Sequence, residues 1–452
     1  MEFKKQLCAR ILSEANDLKR TIPALATDLE MDVAKLHFVL SAEAPLSEIY
    51  DVIDKMGQRY PIDRSDLYLL KDDSENCVKI MRAQASEHSG RICERADRFG
   101  ARTPYYEYRD TAMSTLAPFK PEWIKQLRIV SDADPKNSDV IYNNGHFMHQ
   151  TTFFVGPVNF YWEIEGKRFC QQMKTGDSNY ITPYWKHSFT SRDPNEQALI
   201  LAITFGGAVR YAQKEFYALK EKSKEYRLDY RNAKRGIIQL IKQHRLDENL
   251  SIDNLNVELS KYSSKLKAQD LLDEEKEITT EDLQILAQIF NVEVADLCLA
   301  PYRPEDEVVV TTHDPNGGYY FPNDVSPMYH IYRLARTSKM PQMKGFNIEV
   351  IGSTPDFDHA FKSSTHTYAY NYSQSACRLI WEHKSNQFEA IINPGDSFYV
   401  QPFVPHVLCV IDKPSKIYMA RVPGSIHLAT QRELSFFSDI DRVVEENTCW
   451  FN

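Results

Sequence analysis

The chain is 452 residues long, with 42% apolar and 26% charged residues, a composition typical of a globular protein of two to four domains. Its 54 basic and 63 acidic residues give a formal net charge of −9, which argues against general nucleic-acid or anionic-membrane binding. Neither a membrane-spanning apolar run nor a signal-peptide core is present in the sequence. The eight cysteines are scattered without a C-x-x-C pair, which favours reduced thiols and a cytoplasmic location.

Residues 1–80 are predicted to form short helices. Apolar residues recur at helical spacing from Ile22 to Leu29 and from Val33 to Leu40. Thr21 followed by Pro23 is typical of a helix start, because the hydroxyl caps the helix and the proline fits its first turn. Compact short helices of this kind resemble a helix-turn-helix domain, which serves either in DNA binding or as a packing or substrate-capping module. The acidic net charge favours the second role.

Strand-like runs dominate two later parts of the chain. Residues 95–212 contain short aromatic and β-branched runs separated by glycine and proline, a pattern that predicts a barrel or sandwich. Residues 213–305 return to a helical pattern, and residues 306–452 are again rich in strands. The predicted fold class is therefore α+β, with four domains at 1–80, 95–212, 213–305 and 306–452.

This order predicts two copies of one helix-plus-barrel unit. The segment from Gly176-Asp177-Ser178 to His187 aligns without a gap on the segment from Gly395-Asp396-Ser397 to His406, and a tyrosine and a proline between the ends also match. In the helical parts, residues 65–69 parallel residues 295–299. We therefore expect a tandem repeat of a helical module followed by a β-barrel.

Three side chains of the first barrel form a candidate metal site. On a strand, residues i and i+4 point to one face, so His146 and Gln150 are expected together while His149 points away. His187, on a later strand, supplies the third donor. Two imidazoles and one oxygen donor on one face leave positions open for substrate and dioxygen, as in non-haem Fe(II) sites. The histidines interpreted as core or surface imidazoles include His149, His244 and His383.

The motifs resemble those of cupins, in which one motif ends His-x3-Glu and another is Gly-Asp…Pro…His. Gln150 stands where the cupin carboxylate is usual, and a neutral amide is a weaker donor. The segments 143–146 and 176–188, with the doubled layout, more closely resemble the hydroxyethylphosphonate dioxygenase and methylphosphonate synthase family. The resemblance covers essentially the whole chain. It implies tandem helix-turn-helix-like modules and cupin (double-stranded β-helix, jelly-roll) barrels.

The third ligand separates the two branches of this family. In the dioxygenase branch a glutamate before the motif proline completes the triad, whereas this chain has Thr182 there, or Ile181 when counted from the motif glycine or histidine. In the synthase branch the third ligand is a glutamine four residues after the first histidine, which is the position of Gln150. The resemblance therefore implies Fe(II) held by His146, Gln150 and His187.

A phosphonate dianion requires basic and polar donors. The resemblance implies that these donors are Asn143, Tyr108, Arg98 (with Arg102 as second choice), Lys19 and Arg421. Lys19 would reach the site of a neighbouring subunit in a homo-oligomer, and Arg421 would help to close over the first site. Ala202 stands where the family has a serine, which removes one phosphonate contact.

The resemblance implies an O2-dependent iron enzyme that cleaves the carbon–carbon bond of 2-hydroxyethylphosphonate to methylphosphonate and CO2 or bicarbonate. Three alternatives stay open: the sister reaction to hydroxymethylphosphonate and formate, a transcription regulator whose barrel senses a small ligand, and a cupin isomerase or storage-like binding protein. The second barrel is expected to be degenerate, because His406 keeps its motif while His366 is followed four residues later by Tyr370.

Overall fold

The structure, a computed structural model, describes residues 2–446 and 448–450. Its residues fall into two compact units. The first combines the segment up to Ala208 with the segment from Val310 onward, and the second is Val209–Val309. The first unit thus groups the first helical segment with both strand-rich segments. Within the described residues, no helix combines the length and apolarity that crossing a bilayer requires.

Five helices begin the chain, and they are α1 to α5 at Glu2–Asp17, Ile22–Asp28, Val33–Leu40, Leu46–Arg59 and Arg64–Leu67. They pack around one apolar cluster in which Leu25, Leu36 and Ile53 are fully buried. Thr21 caps α2 because its side chain accepts a hydrogen bond from the backbone N–H of Ala24, which confirms the predicted helix start.

The segment that follows carries the first set of strands. It opens with β1 (Val78–Met81) and the helix α6 (Ala83–His88). Strands β2 to β10 then run Arg91–Ala96, Arg102–Asp110, Phe119–Gln126, His149–Val155, Val158–Ile164, Lys167–Met173, Ser178–Ile181, Lys186–Ser191 and Leu199–Phe205. Strands β2 to β10 are called the first β-unit below.

The unit Val209–Val309 is helical and has its own apolar core. Helices α7 to α11 are Val209–Leu219, Ala233–Asp247, Ile252–Ser260, Ala268–Leu271 and Thr280–Phe290, with 3-10 turns at Lys220–Tyr226, Val294–Leu297 and Pro304–Asp306. Ile241, Leu286 and Leu297 are fully buried in this core. Ser251 and Thr279 begin α9 and α11 with capping boxes, so both helix starts are encoded locally.

The second set of strands follows. Strands β11 to β20 run Val308–Thr311, Tyr319–Phe321, Tyr329–Arg333, Lys344–Val350, His366–Asn371, Cys377–His383, Asn386–Ile392, Ser397–Val400, His406–Val410 and Ser415–Val422. Two short helices close the described chain, α12 (Leu428–Leu434) and α13 (Asp441–Val444). Strands β12 to β20 are called the second β-unit below.

The strands form two pairs of antiparallel sheets with the same internal order. The first β-unit contributes to a seven-stranded sheet, β11-β8-β5-β10-β4-β3-β2, and forms a three-stranded sheet, β7-β6-β9. The second contributes to β1-β18-β15-β20-β14-β13-β12 and forms β17-β16-β19. Helices and antiparallel sheets together confirm the α+β class. The strand at one end of each large sheet is an exchanged strand that comes from the other repeat. Strand β11 joins the sheet of the first β-unit, and β1 joins the sheet of the second.

The motif aspartates hold this exchange in place. Asp177 Oδ1 accepts a hydrogen bond from the backbone N–H of His313 at 2.7 Å, and Asp396 Oδ1 accepts one from Ala83 at 2.8 Å. Each aspartate is nearly fully buried. Each acceptor therefore bonds the segment that immediately follows an exchanged strand, so the Gly-Asp-Ser motif links the repeats.

The motif serines make a second reciprocal contact. Ser178 Oγ accepts a hydrogen bond from the N–H of Ala335, and Ser397 Oγ accepts one from Ala112, both at 2.8 Å. All four residues are buried, so each hydroxyl satisfies a backbone donor that water does not reach. The repeated motif thus has a structural role in both copies.

Replacing either serine by alanine is expected to destabilise the protein. Ser178→Ala and Ser397→Ala each leave a buried N–H without its acceptor, which costs about 1–2 kcal/mol. The change in free energy of unfolding would be measured by urea titration, with the exposed Ser425→Ala as the control. A loss no greater than that of the control would contradict the proposed link.

Two half-buried histidines, His149 and His366, occupy matching places in the repeats. His149 Nδ1 lies 2.7 Å from the Tyr180 hydroxyl, and His366 Nδ1 lies 2.7 Å from the Tyr399 hydroxyl. Each imidazole also stacks on its tyrosine ring. Burial lowers the pKa of His366 to about 4, so the ring is neutral near pH 7.

His366 is expected to make folding sensitive to mild acid. Because its pKa is lower in the folded state, the unfolded chain takes up a proton first as the pH falls below about 6.5. Metal-free protein should lose roughly 2 kcal/mol through this residue between pH 7 and 4.5. His366→Asn, which keeps an acceptor near Tyr399, should reduce that loss in urea titrations, whereas the exposed His37→Asn should not.

Candidate metal site

His146 and Gln150 meet at the start of β5. His146 lies in the preceding loop, and its Nε2 is 3.1 Å from Gln150 Oε1. The interpretation that a single strand carries both residues is therefore wrong, because β5 begins only at His149. The loop turns at Gly145, whose φ is +73°, and a Cβ there would lie 2.3 Å from the Tyr184 carbonyl oxygen. Only glycine fits this close approach.

His187, on β9, brings a second imidazole to the same place. The ring centroids of His146 and His187 are 5.1 Å apart. Nδ1 of each ring donates to a backbone carbonyl at 2.9 Å, that of Met148 or Trp185. In the neutral rings Nε2 therefore carries the lone pair, which is the tautomer that a metal requires. Burial lowers the pKa of His187 to about 4 and so favours this neutral form.

Gln150 presents an amide oxygen beside the two rings. Its Nε2 donates to Thr152 Oγ1 at 3.0 Å, which orients Oε1 toward His146. Ile181 lies directly opposite Gln150 on β8, so the neighbouring strand places an apolar side chain beside the amide. Two imidazole nitrogens and an amide oxygen suit Fe(II), and three neutral donors leave the full charge of the metal for anionic ligands.

Asn143 connects the loop to the strand that carries His187. Its Oδ1 accepts hydrogen bonds from the N–H groups of His187 and Gly145, each at 3.0 Å. Its Nδ2 lies 3.0 Å from His187 Nε2 and donates to that lone pair. A metal at Nε2 would displace this hydrogen bond and free the amide N–H for another ligand.

The three donors line a cavity of about 240 Å³. The other residues that line it are Arg95, Tyr106, Tyr108, Glu122, Ile124, Asn143, Met148, Phe189 and Thr204. The structure thus brings Asn143 and Tyr108 to the predicted site. Burial raises the pKa of Tyr108 to about 12, so its hydroxyl stays protonated and can donate a hydrogen bond.

Arg95 lines the cavity, whereas Arg98, which the sequence analysis assigned to the phosphonate, does not. Arg98 lies just beyond β2 and pairs with Asp139, its Nε donating at 2.6 Å, and it is not among the residues that line the cavity. Arg95 lines the cavity instead, with its guanidinium 5.3 Å from the Tyr106 ring centroid. Strand alternation puts Arg91, Cys93 and Arg95 on one face, and this signal could have identified Arg95. Arg102 lies on β3 and contacts Glu94.

Lys19 and Arg421 lie away from this cavity. Lys19 is exposed at the end of the first helix, with its Nζ 4.8 Å from the Trp450 ring centroid. Arg421 lines a different cavity, in the second β-unit. Ala202 is buried on β10 but is not among the lining residues, whereas Thr204, two residues later, is.

Glu122, which the sequence interpretation missed, is a half-buried acid in the cavity. It lies on β4 opposite Ala202, and its carboxyl group forms no hydrogen bond or ion pair with another described residue. Desolvation by burial raises the pKa of its carboxyl group. Among the described residues, Glu122 does not complete a three-residue metal cluster with the two histidines. The alternation of side chains along β4 could not identify Glu122 from the sequence, because other residues of the same strand that are not buried are charged as well.

Comparison with known proteins identifies close relatives of the whole chain, although no family model matches. Methylphosphonate synthase from Nitrosopumilus maritimus strain SCM1 is 37% identical over 446 residues, which are 97% of this chain and 93% of the relative. HEPD from Streptomyces albus, solved with substrate 2-hydroxyethylphosphonate and Fe(II) bound, is 30% identical with a TM-score of 0.88, covering 99% of both chains. A hydroxyethylphosphonate dioxygenase mutant shares the fold at 16% identity and a TM-score of 0.73, covering 97% of this chain and 98% of its own.

Replacing Glu122 by glutamine is expected to stabilise metal-free protein at neutral pH. Because the folded pKa is raised, the stability associated with this acid is lost as the pH rises through that pKa. The midpoint temperature of thermal unfolding should therefore be higher for Glu122→Gln than for the wild type, and this difference should increase from pH 4 to pH 7. Glu196→Gln, at an exposed position, is the control. An advantage independent of pH would show that Glu122 is not a desolvated carboxyl.

Proposed function

This chain belongs to the methylphosphonate synthase family, and we propose that it converts 2-hydroxyethylphosphonate and O2 to methylphosphonate and CO2 or bicarbonate. The observation that carries the proposal is the meeting of His146, Gln150 and His187 at one cavity, with both imidazoles held by their Nδ1 hydrogen bonds in the tautomer that leaves Nε2 unprotonated. Support also comes from the 37% identity to a methylphosphonate synthase along almost the full length of both chains.

The three donors would hold Fe(II). When bound, the iron supplies redox activation of O2 and binds the oxygen donors of the substrate. The neutral amide at Gln150, with Ile181 opposite, favours the synthase over the dioxygenase reaction, since no carboxylate stands at that position. The hydrogen bond from Gln150 Nε2 to Thr152 keeps the amide oxygen directed at the histidines. A fixed donor set of this kind requires little reorganisation during turnover.

The phosphonate would be held by residues on the cavity wall. Arg95 offers a fixed positive charge, since its Nη1 donates to the carbonyl of Ile141 at 2.7 Å. Tyr108 offers a hydroxyl proton, and Asn143 offers the amide N–H that a ligand at His187 Nε2 would free. This set replaces Arg98 with Arg95 in the proposed substrate contacts. Lys19 remains a proposed contact to a neighbouring subunit, because its side chain is exposed and does not line the cavity of its own chain.

The reaction balances without a further reductant. One O2 takes up the electrons released when the hydroxyl-bearing carbon is oxidised to CO2, while the phosphonate carbon gains one hydrogen and water is formed. The residues of the chain would bind the substrate, orient its hydroxyl-bearing carbon and exclude bulk water. Phe189, Ile124 and Met148 line the cavity beside the donors and provide the apolar part of that environment.

The proposal also covers the type of fold that each segment adopts. We infer that the two β-units are cupin barrels and that the helical segments are helix-turn-helix-like modules kept for packing. The matching strand orders and the two separate helical cores support this inference. A cytoplasmic location accords with eight free cysteines, and a homo-oligomer would give Lys19 a site to reach.

The function is tested by product analysis. Protein reconstituted anaerobically with Fe(II) would receive isotopically labelled 2-hydroxyethylphosphonate and O2, and the phosphorus products would be identified by 31P NMR. Methylphosphonate is the expected product. Hydroxymethylphosphonate as the main product would assign the sister reaction, and no turnover together with salt-dependent binding of a specific duplex would favour a regulator.

The ligand set is tested by Gln150→Ala. Loss of one oxygen donor should lower kcat/KM at least 100-fold, which corresponds to about 2.7 kcal/mol, and should weaken Fe(II) binding in an equilibrium titration. Gln171→Ala, at a position on β7 that does not line the cavity, is the matched control. Undiminished turnover by Gln150→Ala would rule out the proposed set.

A further inference from the structure

The strand register shows which residues of the second β-unit stand at the metal-site positions. In the first unit Gln150 pairs with Ile181 and Thr204, and in the second unit Thr367 pairs with Val400 and Arg421. Strands β5, β8 and β10 correspond to β15, β18 and β20 in the sheet order. Thr367 therefore replaces Gln150, and Arg421 replaces Thr204 on the cavity wall.

The loop before β15 confirms this correspondence and locates the first histidine. The N–H of Tyr184 donates to the His146 carbonyl at 2.9 Å, and the N–H of Phe403 donates to the Ser363 carbonyl at 2.7 Å. Ser363 thus replaces His146, and His366 corresponds to His149 rather than to His146. His406 corresponds to His187, so this is the only one of the three metal-site positions that has the same residue in the second β-unit. Its Nδ1 donates to the Val404 carbonyl at 2.9 Å.

A cavity of about 200 Å³ remains at this place in the second β-unit. The Arg421 guanidinium lies in its wall, 5.5 Å from the Phe346 ring centroid and 5.8 Å from that of Phe361. Phe346 stands opposite Met419 as Glu122 stands opposite Ala202, so an apolar ring has replaced the acid of the first cavity. Among the described residues, the lining of the second cavity contains no acid and no counterpart of the three donors, since the retained His406 is not among its lining residues, and it has Arg421 where the first cavity has Thr204.

The cations around this cavity lack acidic partners among the described residues. Arg421 Nε is buried without a hydrogen-bond partner, and Lys362 at the cavity mouth forms no hydrogen bond or ion pair in the described chain. Lys344 lies opposite Arg421 on β14. Desolvation lowers the pKa of Arg421 and, together with the charge of Arg336, that of Lys344. A half-buried guanidinium without a counter-ion is unfavourable, so an anion at this place would stabilise the fold.

We propose that the cavity of the second β-unit binds a small phosphate- or phosphonate-type oxyanion, held by Arg421 from the wall and by Lys362 at the mouth. The guanidinium presents several N–H donors to such an anion, and the two phenyl rings exclude water from the contact. A divalent metal is disfavoured, because Ser363 and Thr367 are poor ligands and leave His406 as the one strong donor at the corresponding positions. The proposal is independent of the reaction at the first site.

The experiment is equilibrium dialysis of metal-free protein with radiolabelled inorganic phosphate. It uses Arg95→Met as the background, so that the first site loses the cation proposed to hold its anion, and compares Arg421→Met with Arg378→Met as the matched control. Arg378 is a strand arginine of the same β-unit that lies near Glu389. We expect saturable binding that Arg421→Met weakens at least tenfold and Arg378→Met leaves unchanged. Arg421→Lys, which keeps the charge, should retain part of the affinity and covers the case in which the methionine variant does not fold.

Competition identifies the source of the anion. Displacement of the label by 2-hydroxyethylphosphonate or methylphosphonate at lower concentration than by unlabelled phosphate would assign a phosphonate site, and the reverse order would assign a phosphate site. Thermal unfolding adds a second readout, since phosphate should raise the midpoint of the wild type more than that of Arg421→Met. Absence of saturable binding at millimolar phosphate, or equal binding by Arg421→Met, would overturn the proposal.

Discussion

The buried hydrogen bonds that Asp177 and Asp396 accept from the opposite repeat are the constraint on which the β-units depend. Each carboxylate accepts a backbone N–H next to an exchanged strand, and the following serine satisfies a second buried donor of the other repeat. The same motif then leads into the strand that carries His187 or His406. The position of each of these two imidazoles is therefore set by contacts that cross between the repeats.

Much of the metal site could be predicted from sequence because its donors lie in one continuous stretch and a matching segment follows later in the chain. His146, Gln150 and His187 meet as that pattern indicates, although His146 reaches its place from a loop rather than from a strand. The reason is a glycine turn, and turn geometry leaves little trace in residue periodicity. Arg95 could not be distinguished from Arg98 by position alone. The register of β2 decides between them, because Arg98 falls beyond the last residue of that strand.

The second β-unit was harder to interpret, since its histidines suggested a failed copy of the metal site. The strand pairing shows instead that His366 corresponds to His149, a residue with a packing role in the first unit. Three positions of the first cavity have different residues in the second β-unit. Ser363 stands in place of a histidine, Thr367 in place of a glutamine and Arg421 in place of a threonine. If iron occupies the first cavity, each cavity contains a positive charge, that of the metal in the first and that of Arg421 in the wall of the second. The two copies therefore share an attraction for anions while they differ in the chemistry that such a charge can perform.

The exchanged strand β1 also determines when the protein can complete its structure during synthesis. Val78–Met81 pairs with Ser397–Val400, so this strand leaves the ribosome long before its partner strand has been made. Contacts of such long sequence separation form slowly, and an unpaired strand edge invites association with other chains. The nascent N-terminal repeat must therefore remain incomplete, and protected from other nascent chains, until the last strands of the second repeat emerge.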